Sequence, residues 1–594
     1  MLPTSQLTGT ITLGGTANAR TIDVADRSTR SAISILMLFV LAAVVLKCYL
    51  WFRIPVGHDE FHCLSYVHAF ERGEALRPLQ NFHVHFFCWL DAVSGNEVAQ
   101  AMAARAAMLL LLFGTCTCLF LLGAHLVGPV GGLFSVLCYL AFSYTVRNGA
   151  TFRPDTPATF LFMLALCLFV TRGRSAAANV AAGAMMAIAC LFTIKASLYF
   201  SAFGLLALLR LYSGEDSFGA IRRLSYFGVS FLVTFFLLYR LHVAGLPPAA
   251  SGQEVQFLRA SFSTFMFSRY YPEPGFLVPS LVFEPLIWGL LVLGLGLCVY
   301  RVITAKGRSR AAEASLLAMF APALSLCFFR NTAGYFYVFI LPSAMLLCGY
   351  SVNVLKARID RSLARIAPVC IGVLGIAVVM GFPRWLSIGP EAAGKTASQR
   401  ELCSAIHRMF PNPVPYIDGI GMVASFPNAG FFMSSACIEP YLKAGYPFLK
   451  ERIAKRKPVL LVANVPHLDL HSERPPKSVV GLALLEEDWT AMKSHFIHHW
   501  GPVWVAGKQF KLQQGGEPQP FEILVPGPHT VEGGENVLID GSTYRSGQVL
   551  DLHEGVHTIA AVGSDTGVTL RWGNHLYRPE SELDQQDLFM GQLG

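Results

Sequence analysis

The stretch Val56-Gly57-His58-Asp59-Glu60-Phe61 follows the first long apolar segment of the 594-residue chain. Two adjacent carboxylates at the end of such a segment are costly unless they are hydrated, paired or functional. The plain reading is a hydrated helix start with Asp59 near its N-cap. The functional reading makes Asp59 a general base, removing a proton from an acceptor hydroxyl at the mouth of a membrane cavity. Glu60 points elsewhere on a helix and is the weaker candidate, as catalytic support. Downstream, Arg105, Arg147, Arg153, Lys195 and Arg330 fall at the ends of apolar segments on one predicted face. Any one of them can be a snorkelling interfacial cation. Five on one face suit an anionic ligand, and a lipid-borne phosphate fits them best. The turn Thr151-Phe152-Arg153-Pro154-Asp155-Thr156-Pro157 is more specific: it joins a cation, a carboxylate and two prolines that fix the backbone ahead of a helix. Asp155 there caps the helix or pairs with Arg153, and both roles are compatible with function. Tyr335 and Tyr337 enter a later apolar segment as interfacial anchors or as substrate contacts. His58, His83 and His85, with His62, have the look of a metal cluster, but histidine is also frequent on interfacial helices; substrate contact is the reading kept, with no metal ligands assigned.

These residues need a membrane scaffold to hold them. Hydrophobic residues make up 53% of the chain and charged residues only 14%, against roughly 25% charged in a soluble domain, which argues against a cytosolic globular enzyme. The mean hydropathy is +0.48 although the last third is polar, so the apolar residues are concentrated early. Windows of about 20 uncharged apolar residues, the length a bilayer demands, fall at 33–54, 106–127, 130–146, 156–170, 176–192, 196–211, 224–244, 281–300, 311–329, 334–352 and 366–382. The fold expected is therefore a polytopic α-helical membrane protein with about 11 transmembrane helices. With residues 1–32 as a cytoplasmic tail, Arg172 and Arg174, Arg222 and Arg223, Arg301 to Arg310, and Lys356 to Arg365 all fall in cytoplasmic loops, as the positive-inside rule requires. Residues 33–384 form the membrane domain, with 55–105 as its first outward loop. The segment 253–271, rich in Phe, reads as a helix lying in the interface. The net charge of +8 is explained by those loops, and no zinc-ligand spacing, Walker-type loop or long charge block points to nucleic acid.

The outward tail divides in two. Alternation such as Pro458 to Val465 and helix-like stretches such as Lys443 to Lys457 predict an α/β region over 385–511. Short Val, Ile and Leu runs punctuated by Gly-Gly, Asp-Gly and Glu-Gly predict a β-sandwich over 512–594. Ten of the 14 cysteines lie in or beside apolar segments, where a thiol acts as a small hydrophobe. Spacing leaves open whether Cys63 pairs with Cys88 and Cys403 with Cys437.

The motif His58-Asp59-Glu60 after the first span, the two amphipathic stretches of the outward loop, the lead from Asn96-Glu97 to Arg105, the Arg153-Pro154-Asp155 turn and the Lys195 turn together resemble the GT-C superfamily of membrane glycosyltransferases. The likeness extends over residues 33–382 and is strongest to aminoarabinose lipid A transferases and protein O-mannosyltransferases. It implies transfer of a sugar from a polyprenyl-phosphate donor, usually with inversion, to a cell-envelope glycan, lipid or protein. It makes Asp59 the base and Arg153, Lys195, Arg330 and Arg105 the cations for the donor phosphate. It also implies a bacterial inner membrane with the C-terminal domain in the periplasm. Some branches of the superfamily use a divalent cation; the lack of an extended acidic cluster here favours a reaction that requires no cofactor. The terminal β-region resembles PEGA-like or carbohydrate-binding sandwiches. A transporter or flippase for lipid-linked sugars would use the same cations, but the helix breaks and internal repeat expected of one are not evident. A glycan-binding scaffold, the third reading, would make the charged loop positions dispensable.

Overall fold

The computed structural model describes residues 16–590 apart from 75, 77, 213–216, 247–273, 305–310, 330–331, 364, 478–480, 535 and 563–565. Helix α1 (Thr16–Trp51) is followed by the outward-loop helices α2 (His58–Glu71) and α3 (Val84–Phe87). The bundle continues with α4 (Glu97–Leu126), α5 (Pro129–Ala141), α6 (Ser143–Asn148), α7 (Asp155–Thr171), α8 (Ala176–Phe192), α9 (Phe200–Tyr212) and α10 (Ser217–Ala244). It closes with α11 (Pro274–Phe283), α12 (Pro285–Thr304), α13 (Ala311–Phe320), α14 (Gly334–Ala344), α15 (Leu346–Leu363) and α16 (Ala367–Val379). The long α17 (Phe382–Met409) then leads into the C-terminal domain.

The protein is a polytopic α-helical membrane protein, and each apolar segment read from the sequence coincides with helix. Among the described residues five stretches are able, by length and composition, to cross a membrane, or six if α14 and the start of α15, bent by 43°, are one span; five shorter apolar helices occupy the remaining segments. The shortening has local causes. Extended backbone at Phe142 (ψ 126°) splits the third segment into α5 and α6, and the sixth begins as a 3₁₀ turn, Ile194–Tyr199. Small residues let the helices approach closely: a Cβ on Gly349 of α15 would collide with the Gly131 carbonyl of α5. The stretch expected to be a cytoplasmic tail is helical from Thr16 onward. The interfacial helix expected over 253–271 lies outside the described residues. All 14 cysteines are free thiols, so neither Cys63 with Cys88 nor Cys403 with Cys437 is bridged.

The C-terminal domain continues with β1 (Tyr416–Asp418), α18 (Ser435–Ala444), α19 (Phe448–Arg456), β2 (Leu460–Val462), α20 (Glu486–His495), β3 (Phe496–Trp500) and β4 (Val503–Leu512). Then come β5 (Gln519–Ile523), β6 (Gly527–Glu532), β7 (Asn536–Ile539), β8 (Ser542–Arg545), β9 (Val549–Leu552), β10 (Gly555–Ala561) and β11 (Thr566–Trp572). One sheet has the order β1-β2-β4-β11-β6-β9, with β3 also pairing β4, and a second has the order β5-β10-β7-β8. Residues of both sheets, among them Leu512, Phe521, Val537, Ile559 and Leu570, share one core, which is the sandwich. Asp540 and Gly541, both at positive φ (48° and 79°), turn β7 into β8, the conformation a two-residue hairpin loop requires. The expected boundary between residues 511 and 512 falls inside β4. The first half of this strand pairs with β2 and β3, and its second half pairs with β11 from Gly507 to Leu512, so the α/β region and the sandwich share a strand.

What fixes the first outward loop is a buried ion pair. Arg105 of α4 donates to both oxygens of Glu60, at 2.7 and 2.5 Å, and also to the carbonyls of Trp51, Ile54 and Pro55 at 3.1, 2.6 and 2.9 Å. The same carboxylate accepts from the backbone N–H of Gly57 at 2.9 Å, closing a capping box at the start of α2, and from that of Phe152 at 2.7 Å. Three separate pieces of chain therefore meet at one carboxylate. Removing one partner of such a buried pair strands the other charge, at a cost of about 3–5 kcal/mol. Glu60→Ala and Arg105→Ala are each expected to lower the apparent melting temperature of the detergent-purified protein sharply; melting unchanged in both would show that the pair is not structural.

Candidate active site

Asp59 sits in the first turn of α2, one residue before the buried Glu60. Its carboxylate forms an ion pair with Arg153, which comes from the turn between α6 and α7. Arg153 also reaches Asp155, the first residue of α7, at 3.3 Å through Nε and 3.2 Å through Nη2. The other oxygen of Asp155 meets Lys195 Nζ at 2.7 Å. The ring of Tyr335, at the entry of α14, lies under both cations, 3.5 Å from the Arg153 guanidinium carbon and 4.8 Å from Lys195 Nζ, a cation–π arrangement. Burial opposes the charge on Arg153, but Asp59 and then Asp155 hold it protonated, above its ordinary range. The row Asp59, Arg153, Asp155, Lys195 is electrically neutral. Asp59 is its open end: the Asp59 side chain is 43% exposed, against 12% for Arg153 and 10% for Asp155.

The histidines flanking Asp59 each meet an aromatic ring of the C-terminal domain. His62 stacks on Phe432 with ring centroids 4.0 Å apart and planes at 10°, and His58 meets Phe589 edge-on at 4.3 Å. Burial holds the His62 imidazole below its ordinary range, at about 4, so it carries no charge at neutral pH. The backbone ahead of Asp59 is fixed from the same side. Gln399 of α17 brackets Val56, accepting from its N–H at 2.9 Å and donating to its carbonyl at 2.8 Å. Val56 and Phe61 are buried in the core of the C-terminal domain rather than in that of the bundle. A second latch forms at Glu97, whose carboxylate meets His407 at 3.0 Å and accepts from the Ser425 hydroxyl at 2.6 Å.

Of the residues picked from sequence, Asp59, Arg153, Asp155, Lys195 and Tyr335 are brought together. Arg105 and Glu60 are placed elsewhere: Arg105, expected to hold the donor phosphate, is 3% exposed and engaged by Glu60 and three carbonyls, while Glu60 caps α2 instead of facing substrate. Tyr337 is wholly buried beside Tyr144 and Phe142, so it packs the bundle. His83 reaches the Cys63 carbonyl at 3.2 Å, and His85 reaches His242 at 2.7 Å. With His58 against Phe589, these three histidines do not converge, and among the described residues no group of three His, Cys, Asp or Glu side chains is placed to hold a metal ion. Arg330 lies outside the described residues. Phe432, Phe589 and Gln399 escape sequence reasoning, being more than three hundred positions from the residues they touch. His62 carries a local signal, since a residue three after Asp59 on a helix shares its face.

No family model and no curated protein sequence matches the chain. Solved structures do. The chain is similar to ArnT from Cupriavidus metallidurans bound to undecaprenyl phosphate, at 16% identity over 72% of this chain and 92% of that one, with a TM-score of 0.50. It is also similar to the oligosaccharyltransferase AglB from Archaeoglobus fulgidus in complex with an inhibitory peptide and a dolichol-phosphate, at 9% identity over 93% of this chain and 98% of that one, with a TM-score of 0.51. The apo form of the Archaeoglobus enzyme aligns at 8% identity and a TM-score of 0.50. The chain has the GT-C fold.

The buried histidines set a pH dependence. His83, 2% exposed, is held by burial at about 4, as is His62, whereas in the unfolded chain each titrates near 6.5. Between those values the unfolded state binds more protons, so stability falls as pH drops from about 6.5 towards 4. His83→Gln is expected to lose less melting temperature than wild type between pH 7.5 and pH 5; equal losses would remove His83 from the account.

Proposed function

We propose that the protein is an integral membrane glycosyltransferase that moves a sugar from a polyprenyl-phosphate donor to an acceptor hydroxyl at the face carrying the C-terminal domain. The observation that carries this reading is the neutral row of Asp59, Arg153, Asp155 and Lys195 with its carboxylate end exposed. A donor phosphate arriving at Arg153 and Lys195 competes with Asp59 for the guanidinium. It releases that carboxylate beside the reacting centre, so donor binding itself frees the base. Asp59 then takes the proton of the acceptor hydroxyl, and the acceptor oxygen bonds to the anomeric carbon. The carbon–oxygen bond to phosphate breaks with its electron pair passing to the phosphate, where Arg153 and Lys195 stabilise the added charge. Attack opposite the leaving phosphate inverts the anomeric centre.

The likeness to ArnT and AglB, whose solved complexes hold undecaprenyl phosphate and dolichol-phosphate, supports the donor class. The acceptor is a cell-envelope glycan, lipid or protein, and the location proposed is a bacterial inner membrane with the C-terminal domain on the periplasmic side. No cofactor is required on this reading, because two cations already face the phosphate and both nearby carboxylates are engaged by them. Transport of a lipid-linked sugar needs the cations but no base, so the behaviour of Asp59 separates the two functions.

With the full chain in nanodiscs, a panel of polyprenyl-phosphate sugars and a cell-envelope extract as acceptor, Asp59→Asn is expected to slow transfer by roughly 10²–10⁴-fold, the usual worth of a general base, while donor binding persists. Undiminished transfer by this variant would overturn the base assignment, and saturable donor binding without transfer in wild type would favour transport. Addition of a chelator is expected to leave the transfer rate unchanged; loss of activity restored by a divalent ion would place a metal in the reaction.

A further inference from the structure

Lys47 is a buried cation for which the proposed reaction has no use. It lies near the end of α1, 6% exposed, and its Nζ donates to two main-chain carbonyls, those of Thr145 at 3.2 Å and Val146 at 2.6 Å. Among the described residues no carboxylate pairs with it. Its neighbours in α1, Leu46 and Leu50, pack with Val146 of α6 and Trp385 of α17 in one small apolar cluster. An ammonium taken out of water without a counter-charge is costly, and two of its three N–H groups offset part of that cost at the carbonyls. What those carbonyls belong to gives the lysine a role.

Helix α6 has only six residues and is cut from α5 by the extended backbone of Phe142. So short a helix does not hold its shape unaided, and the last four carbonyls of any helix lack a partner inside it. Thr145 and Val146 supply two of these. The Thr145 carbonyl also accepts from the N–H of Gly149 at 2.9 Å, and the Asn148 carbonyl accepts from the Thr151 hydroxyl at 2.8 Å, which ties the end of α6 to the turn that follows. That turn continues to Phe152, whose N–H meets Glu60 at 2.7 Å, and to Arg153, paired with Asp59. The segment that presents Arg153 is therefore suspended at two points: the end of α6 hangs on Lys47, and Phe152 hangs on Glu60. Lys47 and Glu60 stand thirteen positions apart on one continuous stretch, which also carries Asp59. A segment held at Phe152 alone can pivot about that contact. Held at Lys47 as well, it keeps the guanidinium at a fixed height above α2.

We propose that Lys47 is a positioning residue for Arg153: by holding the end of α6 it sets where the guanidinium meets the donor phosphate, without touching the donor itself. The inference rests on the reading of Arg153 as a phosphate-binding cation. The test uses the full chain in phosphatidylcholine nanodiscs with radiolabelled undecaprenyl phosphate as probe. Lys47→Met keeps the length of the side chain and removes its donors; it is expected to weaken binding about tenfold or more, the size of one charge-assisted hydrogen bond. A double-mutant cycle separates positioning from a general structural effect. In an Arg153→Ala background Lys47→Met is expected to cost nothing further, because the group it positions is gone, whereas in a Lys195→Ala background the tenfold loss persists. Wild-type affinity in Lys47→Met, the same loss with and without Arg153, or a loss abolished equally by Lys195→Ala would each overturn the proposal. Lys47→Gln, which keeps a neutral donor, is expected to show a smaller loss with the same dependence on Arg153, and it carries the cycle if Lys47→Met melts too low to be measured. Failure of the transferase reading would look different: a wild type that binds the probe but transfers no sugar leaves the coupling of Lys47 to Arg153 intact, while a wild type that does not bind it overturns both.

Discussion

The side-by-side burial of Glu60 and Arg105 is the constraint from which the geometry of the site follows. An isolated buried carboxylate would be strongly disfavoured, and this one is tolerated because two N–H groups of Arg105 and two backbone N–H groups, from Gly57 and Phe152, satisfy it together. The Gly57 contact starts α2 and so aims Asp59. The Phe152 contact fixes the residue before Arg153. The two members of the Asp59–Arg153 pair are thus each held one residue away from the same carboxylate. Their separation is inherited from the hub.

The C-terminal domain is part of the same construction. Val56 and Phe61 belong to its core, Gln399 grips the backbone on which Asp59 depends, and Phe432 and Phe589 meet the rings of the histidines on either side. Helix α17 runs without interruption from the bundle into this domain. The shared strand β4 carries the connection on to the sandwich. Displacing the domain would therefore shift the first turn of α2 itself.

Much of this was legible in the sequence, and the limits have physical causes. Apolar windows located the bundle helices because hydrophobic length is a strong, local signal. Asp-Gly located the β7–β8 turn because few residues tolerate two successive positive φ values. The turn from Arg153 to Pro157 stood out for its prolines, and the neighbourhood of Asp59, Arg153, Asp155 and Lys195 followed from their common face. Which of the adjacent carboxylates Asp59 and Glu60 pairs with Arg153 was only partly readable, because helix geometry says that they diverge and not which partner waits for each. That Arg105 serves Glu60 across 45 positions is a tertiary fact, as is the full burial of Tyr337 two residues after the half-buried ring of Tyr335. The boundary drawn between residues 511 and 512 falls inside β4 because a change of composition along a chain does not mark a change of sheet when one long strand serves both neighbourhoods.

The contact between His58 and Phe589 has a consequence for the order in which the structure closes. Phe589 follows His58 by more than five hundred positions, so the helices of the bundle and the strands of the sandwich are all synthesised before these two rings can meet. Asp59 and Arg153 need no such wait, since both belong to the first part of the chain. The ion pair has its two members early in synthesis, and the aromatic ring beside it comes late.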